Sequence, residues 1–224
     1  MSANDAVPEA GKLRILLVDD HPVSRRGVAA TLSQQPDLTV GAEADSASQA
    51  LEALEHTPCD LAIVDLILKD SSGLALIQDI RARYPHLPVV ALSMQDEEVY
   101  AQRAFQAGAC AYVSKVETPD RLLSAIRTAL AGGIYLSERA MPKVLAAVVD
   151  GGAGSAMDPL TNREVEILEL IGQGLPTRQI AESLRISPHT VEAHREHIKT
   201  KLNLGSAPAL MKYAMDWVRP RQNP

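Results

Sequence analysis

Five short apolar runs, each followed by a stretch of helical periodicity, restrict the fold of this chain more than any other feature. The runs are Ile15–Val18, Thr39–Ala44, Leu61–Val64, Val89–Leu92 and Ala111–Val113. The helical patterns cover Val23–Gln34, Ser46–His56, Gly73–Tyr84, Glu97–Ala107 and Pro119–Ala131. Continuous rather than alternating hydrophobicity suits strands covered on both faces. Strand and helix in regular alternation predict a doubly wound α/β domain around a parallel sheet. Pro36, Pro58, Pro85, Pro88 and Pro119 fall between elements or at helix starts, where a missing N–H costs nothing.

A second region follows. Glu138–Asp150 reads as a short linker helix, and Gly151-Gly-Ala-Gly-Ser155 as a flexible hinge. Beyond it Asn162–Gln173, Thr177–Leu184, Pro188–Leu202 and Ala207–Val218 form four helical patterns with no strand between them, which predicts an all-α bundle. The resulting division is a tail at 1–12, a first domain at 13–133, a linker at 134–157, a second domain at 158–218 and a tail at 219–224. The polar Met1–Lys12 segment lacks the apolar stretch of a signal peptide. No apolar run approaches the length of about 20 residues that crosses a bilayer. Cys59 and Cys110 are the two cysteines, without metal-ligand spacing, and read as buried thiols of a reduced, cytoplasmic protein.

The net charge of −6 hides an asymmetry. From Asp158 onward there are nine Lys and Arg against eight Asp and Glu, leaving 13 basic against 20 acidic residues before it. An acidic first domain joined to a near-neutral second one is compatible with DNA binding through a local patch.

The chemistry sits where the predicted strands end. In an open parallel sheet, ligands bind outside the carboxyl ends of the strands. The first strand ends in Asp19-Asp20, the third in Asp65, the fourth in Ser93 and the fifth in Lys115. A single strand-end Asp ordinarily caps a helix or lines a turn; five such residues on one sheet edge suggest a site. Three carboxylates in one crevice repel one another unless a cation neutralises them, and hard oxygen ligands favour Mg2+. A lysine and a hydroxyl beside them would complete a seat for a phosphoryl group.

Ile15-Leu-Leu-Val-Asp-Asp-His-Pro22, the Asp65 to Gly73 loop, Leu92-Ser93 and Gly108-Ala-Cys-Ala-Tyr-Val-Ser-Lys115 resemble the flavodoxin-like receiver domain of two-component response regulators. The resemblance implies Asp65 as phosphoacceptor, and Mg2+ held by Asp19, Asp20, Asp65 and the backbone carbonyl of Ile67. It implies that Lys115 pairs with the phosphoryl group, that Ser93 hydrogen-bonds it, and that Tyr112 turns inward when the hydroxyl moves. A half-buried tyrosine at the sheet edge is the structural alternative for Tyr112. Two departures stand out: Lys69 and Val116 occupy positions where such domains usually carry proline.

In the second region, Leu160-Thr-Asn-Arg-Glu164, Gly174-Leu175, Ile180-Ala181 and Ile186-Ser-Pro-His-Thr-Val191, followed by His194, Ile198 and Lys201-Leu202, place two helices around a tight turn. Ser187 caps the second of these, with Pro188 at its first position. His189, Thr190, Glu192, Ala193, Arg195, Glu196, Lys199 and Thr200 are expected on its exposed portions. The pattern resembles the LuxR-type helix-turn-helix of NarL/FixJ regulators, which implies that Thr190, His194, Arg195 and Lys199 face DNA and that Lys201 lies near phosphate. Glu192 and Glu196 are awkward there, since carboxylates repel phosphate and read only base donors. The last helix, with Leu210, Tyr213, Ala214 and Trp217, either packs on the bundle or pairs two domains.

Together the two resemblances imply a transcription regulator phosphorylated by a sensor histidine kinase. It would bind an inverted-repeat promoter in double-stranded DNA as a homodimer when phosphorylated, with RNA polymerase a further contact implied for such proteins. It would catalyse only its own phosphorylation and dephosphorylation. Three other classes compete. An orphan regulator independent of phosphate typically loses one of Asp19, Asp20, Asp65, Ser93 or Lys115. A phosphatase needs a general acid where Ile67 stands. A protein-binding adaptor would draw on the acidic residues of the recognition helix.

Overall fold

The computed structural model describes residues 11–68, 72–94, 97–142, 144, 160–184 and 186–218. Residues 1–10 of the expected tail at 1–12, the expected tail at 219–224, the hinge at 151–155 and Lys69 lie outside them, as do Lys143 and the linker beyond residue 144. The chain forms two compact units, Met1–Met94 with Ala107–Ser137, and Gln95–Gln106 with Glu138–Pro224.

The first unit holds strands β1 (Leu13–Val18), β2 (Leu38–Ala44), β3 (Leu61–Asp65), β4 (Val89–Ser93) and β5 (Ala111–Ser114). They pair in parallel in the order β2-β1-β3-β4-β5. Each expected strand is present, with ends extended by one or two residues. Helices α1 (Pro22–Ser33) and α5 (Pro119–Leu130) pack together against the sheet, and α2 (Ala47–His56) packs with α3 (Gly73–Arg83). That is the doubly wound arrangement, and the strand order reverses between β1 and β3.

The apolar runs are strands because both their faces are covered. Ile15, Leu17, Leu61, Ile63, Val90, Leu92 and Val113 lie in one core with Val28 and Leu32 of α1. The core also takes in Leu122, Ala125, Ile126 and Ala129 of α5, whose spacing of three and four residues builds a single helical stripe. Full burial of each Leu or Ile contributes about 1.5–3 kcal/mol. Tyr112, on β5, is 1% exposed rather than half-buried.

The second unit contains α4 (Glu97–Ala107) but for its last residue, and α6 (Asn162–Gly172), α7 (Thr177–Ser183), α8 (Pro188–Lys201) and α9 (Ala207–Val218). Helix α6 starts with a capping box. Thr161 Oγ1 accepts from the Glu164 backbone N–H, and a Glu164 carboxylate oxygen accepts from that of Thr161 at 2.7 Å. Ser187 Oγ accepts from the Thr190 N–H at 3.0 Å, with Pro188 opening α8 as expected. Val165, Ile167, Leu168, Ile171, Ile180, Leu184, Val191 and Ile198 are all buried. The last helix does pack on the bundle, burying Leu210 and Ala214. A Cβ on Gly172 would collide with the Ala214 carbonyl oxygen, so α6 and α9 approach at a point where only glycine fits.

Candidate functional site

The register of the sheet assembles the acidic cluster. β1 and β3 are neighbours with Val18 opposite Val64, so Asp19 and Asp65 emerge side by side. Asp65 is itself the last residue of β3, opposite Leu92 of β4. Ser93 pairs with Ser114 at the end of β5, and the Lys115 N–H donates to the Ser93 carbonyl at 2.8 Å. Asp19, Asp20, Asp65, Ser93 and Lys115 therefore meet at one edge, as their strand-end positions predict.

Lys115 Nζ donates to Asp19 Oδ2 and to Asp65 Oδ2, each at 2.7 Å. Asp19 Oδ1 accepts from the His21 N–H at 2.8 Å, and Asp65 Oδ1 from the Ile67 N–H at 3.2 Å. Asp19, Asp20 and Asp65 are 1%, 9% and 3% exposed, and Ser93 is fully buried. Gly73 packs against this edge. Its N–H donates to the Leu66 carbonyl, and a Cβ there would overlap the Asp65 carbonyl oxygen.

Burial pushes the Asp65 carboxyl up to about 6, against the pull of Lys115 and with the help of Asp19. Burial acts in the same direction on Asp19, but hydrogen bonds from Lys115 and Ser24 outweigh it and hold that carboxyl below its usual range. Burial opposes the charge on Lys115, yet Asp65 and Asp19 more than restore it. Three carboxylates and one ammonium leave the cluster deficient in positive charge. Ligand atoms of Asp19, Asp20, His21 and Asp65 all lie within 4.8 Å of one another, an oxygen-rich set that fits a hard divalent cation.

His21 joins this cluster without having been among the expected site residues. Its Nδ1 lies 2.7 Å from Asp20 Oδ1 and 3.9 Å from Asp65 Oδ2, and its side chain is 60% exposed. Its place next to two strand-end aspartates is the one signal in the sequence that points to it.

The expected DNA-facing residues on α8 are near one another, but their charges are engaged. Lys199 Nζ is 2.8 Å from Glu196 Oε1, and Arg195 Nε is 3.7 Å from Glu192 Oε2. Arg195 also donates to Thr177 Oγ1. The side chains of Arg195 and Lys199 are 14% and 19% exposed, which corrects the expectation that they stand on open surface. Glu192 and Glu196 are 53% and 66% exposed. Spacing of three residues could have announced both ion pairs. Lys201 Nζ donates to Glu164 Oε2 at 2.7 Å across 37 residues of chain, a pairing with no local signal. Thr190 Oγ1 lies 2.7 Å from Ser187 Oγ. His194 is partly buried. Burial lowers its affinity for a proton, as do Arg163, His197 and Lys201, while Glu164 opposes them.

Comparison with known proteins matches both units. The family model described as response regulator receiver domain matches residues 15–127, and that of bacterial regulatory proteins, luxR family, matches residues 158–214. The chain is 36% identical to the oxygen regulatory protein NreC of Staphylococcus epidermidis over 212 residues, covering 91% of this chain and 97% of that one. It is 37% identical over 194 residues to the nitrate/nitrite response regulator protein NarL of Escherichia coli K12, covering 86% and 90%. Among solved structures, RcsB of Salmonella enterica serovar Typhimurium, bound to promoter DNA with the phosphomimetic BeF3−, aligns with a TM-score of 0.59 at 23% identity. That alignment covers 91% of this chain and 98% of RcsB, and shows a shared fold.

Proposed function

The chain belongs to the NarL/FixJ family of two-component response regulators, DNA-binding transcription regulators gated by phosphorylation, and from that premise we propose that Asp65 is its phosphoacceptor. The observation that carries this reading is Lys115 Nζ poised 2.7 Å from both Asp19 and Asp65. In this reading residues 13–133 are the receiver, 134–157 the linker and 158–218 the output domain. On the same reading the protein works in the cytoplasm, where its promoter DNA lies. Among the described residues no helix is long and apolar enough to cross a membrane.

An oxygen of the Asp65 carboxylate attacks the phosphorus of a phosphohistidine on the sensor kinase. The P–N bond breaks, its electron pair stays on the imidazole nitrogen, and an acyl phosphate forms. Asp19, Asp20, Asp65 and the Ile67 carbonyl would hold Mg2+, which when bound supplies positive charge to the transferring phosphoryl oxygens. Lys115 supplies the rest, and because it is already held in place it needs little reorganisation. Asp65 then ceases to be its carboxylate partner, and Lys115 and the Ser93 hydroxyl turn to the phosphoryl oxygens. Tyr112, on the same strand edge, follows the vacated hydroxyl position, which biases β5 between two arrangements. The chain catalyses only its own phosphorylation and dephosphorylation.

The output of the switch is helix α8, with Thr190, His194, Arg195 and Lys199 towards double-stranded promoter DNA and Lys201 near phosphate. Phosphorylation favours a homodimer on an inverted repeat, with RNA polymerase the further contact that the family resemblance implies. The test is incubation with acetyl phosphate and Mg2+, then selection of DNA from a genomic pool. The expected result is an acid-stable, hydroxylamine-labile acyl phosphate and enrichment of inverted repeats, both lost in Asp65→Asn. Enrichment that is equal in the two proteins would sink the reading.

A further inference from the structure

Helix α8 carries a second cluster of ligating side chains that the phosphorylation site does not use. His194 and His197 are one turn apart, so they share a flank of the helix. Their rings meet edge to face with centroids 6.3 Å apart. Glu164, in the first turn of α6, reaches the same place, and one ligand atom from each of the three lies within 4.8 Å of the others. Glu164 is 2% exposed, whereas His197 is open to solvent. His194 Nδ1 is buried and has no hydrogen-bond partner among the described residues. A buried ring nitrogen without a partner is uncommon in folded proteins and asks for an explanation.

We infer that Glu164, His194 and His197 form a binding site for a divalent transition-metal ion of the zinc class, with water as the fourth ligand. Two imidazoles and a carboxylate are a recurring zinc donor set, and mixed nitrogen and oxygen ligands select against Mg2+. Tetrahedral ligation at zinc bond lengths requires donor separations of about 3.3 Å. Rotations of the side chains therefore have to close gaps of at most about 1.5 Å, and exposed His197 is free to make them. One group already in place competes with the metal. Lys201 Nζ and the Thr161 N–H both donate to Glu164 Oε2, each at 2.7 Å, so the ammonium's charge opposes a cation arriving at the same carboxylate. That repulsion lowers the affinity for a metal ion in a way that a single substitution at Lys201 can reverse.

The full chain is titrated with Zn2+ by equilibrium dialysis in the presence of excess Mg2+, and with Co2+ as a spectroscopic probe. One zinc equivalent should resist Mg2+, with the intense visible bands of four-coordinate Co2+ and a melting temperature that rises with zinc concentration. His197→Gln, a change at an exposed position, should weaken this binding by about 10-fold or more. Glu164→Gln, which retains the capping geometry, should do the same. Lys201→Gln should tighten it, an effect that a purely structural role for the ion pair does not produce. Displacement of all zinc by Mg2+, a His197→Gln protein that binds like the parent, or weaker binding by Lys201→Gln would each overturn the inference.

Discussion

Lys115 Nζ stands 2.7 Å from Asp19 Oδ2 and 2.7 Å from Asp65 Oδ2, so one ammonium holds together two buried carboxylates from neighbouring strands. Removing it leaves both without their cation. Lys115→Ala is expected to cost about 3–5 kcal/mol at neutral pH, the range for breaking a buried pair on one side. Urea unfolding measures the loss, and Mg2+ should recover part of it by replacing the missing charge. Equal stability of the variant and the parent in the absence of Mg2+ would contradict this.

Asp65 makes a prediction of opposite sign. Its carboxyl is raised to about 6 from an ordinary 3.8, because burial outweighs the attraction of Lys115. The folded state therefore binds this proton more tightly than the unfolded chain does. The associated stability is complete below pH 3.8 and is lost as the pH rises through 6. At pH 7 to 8 the neutral Asp65→Asn should be more stable than the parent, on the order of 2 kcal/mol. The difference should shrink as the pH falls towards 4, as followed by urea midpoints across that range.

Gly73 lies against the backbone of Asp65, the proposed phosphoacceptor. A methyl group there would overlap the Asp65 carbonyl oxygen, which belongs to the backbone and has no side-chain freedom to yield. Gly73→Ala should cost about 2 kcal/mol or more and slow the formation of the acyl phosphate with acetyl phosphate. Both losses are read on the same preparation, by thermal melting and by phosphate-affinity electrophoresis.

Glu164 couples a helix cap to an ion pair. Lys201 and the Thr161 backbone and hydroxyl hold its carboxyl below the usual 4.5 even though burial acts the other way. The stability it contributes is present above pH 4.5 and is lost as acid titrates it in the folded state. Glu164→Ala should remove about 1–2 kcal/mol at pH 7 from the cap and the buried pair. The difference from the parent should narrow in acid, as checked by melts at pH 7 and pH 3.5.

Glu196 holds Lys199 at 2.8 Å and is the more exposed of the two. Glu196→Lys removes a charge that repels phosphate and releases Lys199. Non-specific DNA affinity should rise, and the slope of log K against log salt should steepen by about 1–2. Fluorescence anisotropy with a random duplex at several salt concentrations gives the slope directly. An unchanged slope would place this flank of α8 away from the DNA backbone.

Much of the proposed phosphorylation site is legible in the amino-acid sequence. Asp19, Asp20, Asp65, Ser93 and Lys115 fall on one edge because each follows a run whose uninterrupted hydrophobicity marks a strand buried on both faces. The caps at Ser187 and Pro188 are equally plain, since a capping side chain bonds backbone only two or three residues away. His21 is less legible, because its place beside two strand-end aspartates does not say whether its ring leans on Asp20 or stands in solvent. On α8 the helical pattern alone puts the basic residues on open surface, whereas Arg195 and Lys199 each sit against a glutamate three residues earlier.

The amino-acid order by itself determined the elements, the strand-end chemistry and the identity of both domains, since periodicity, caps and motif spacing act over a few residues. Only the tertiary structure decided which partners those residues take. Lys115 meets Asp19 across 96 residues and Asp65 across 50, and Lys201 meets Glu164 across 37. Such pairings depend on how strands and helices are stacked, and hydrogen bonding falls off within an ångström. No local pattern carries that distance; the packed core sets it.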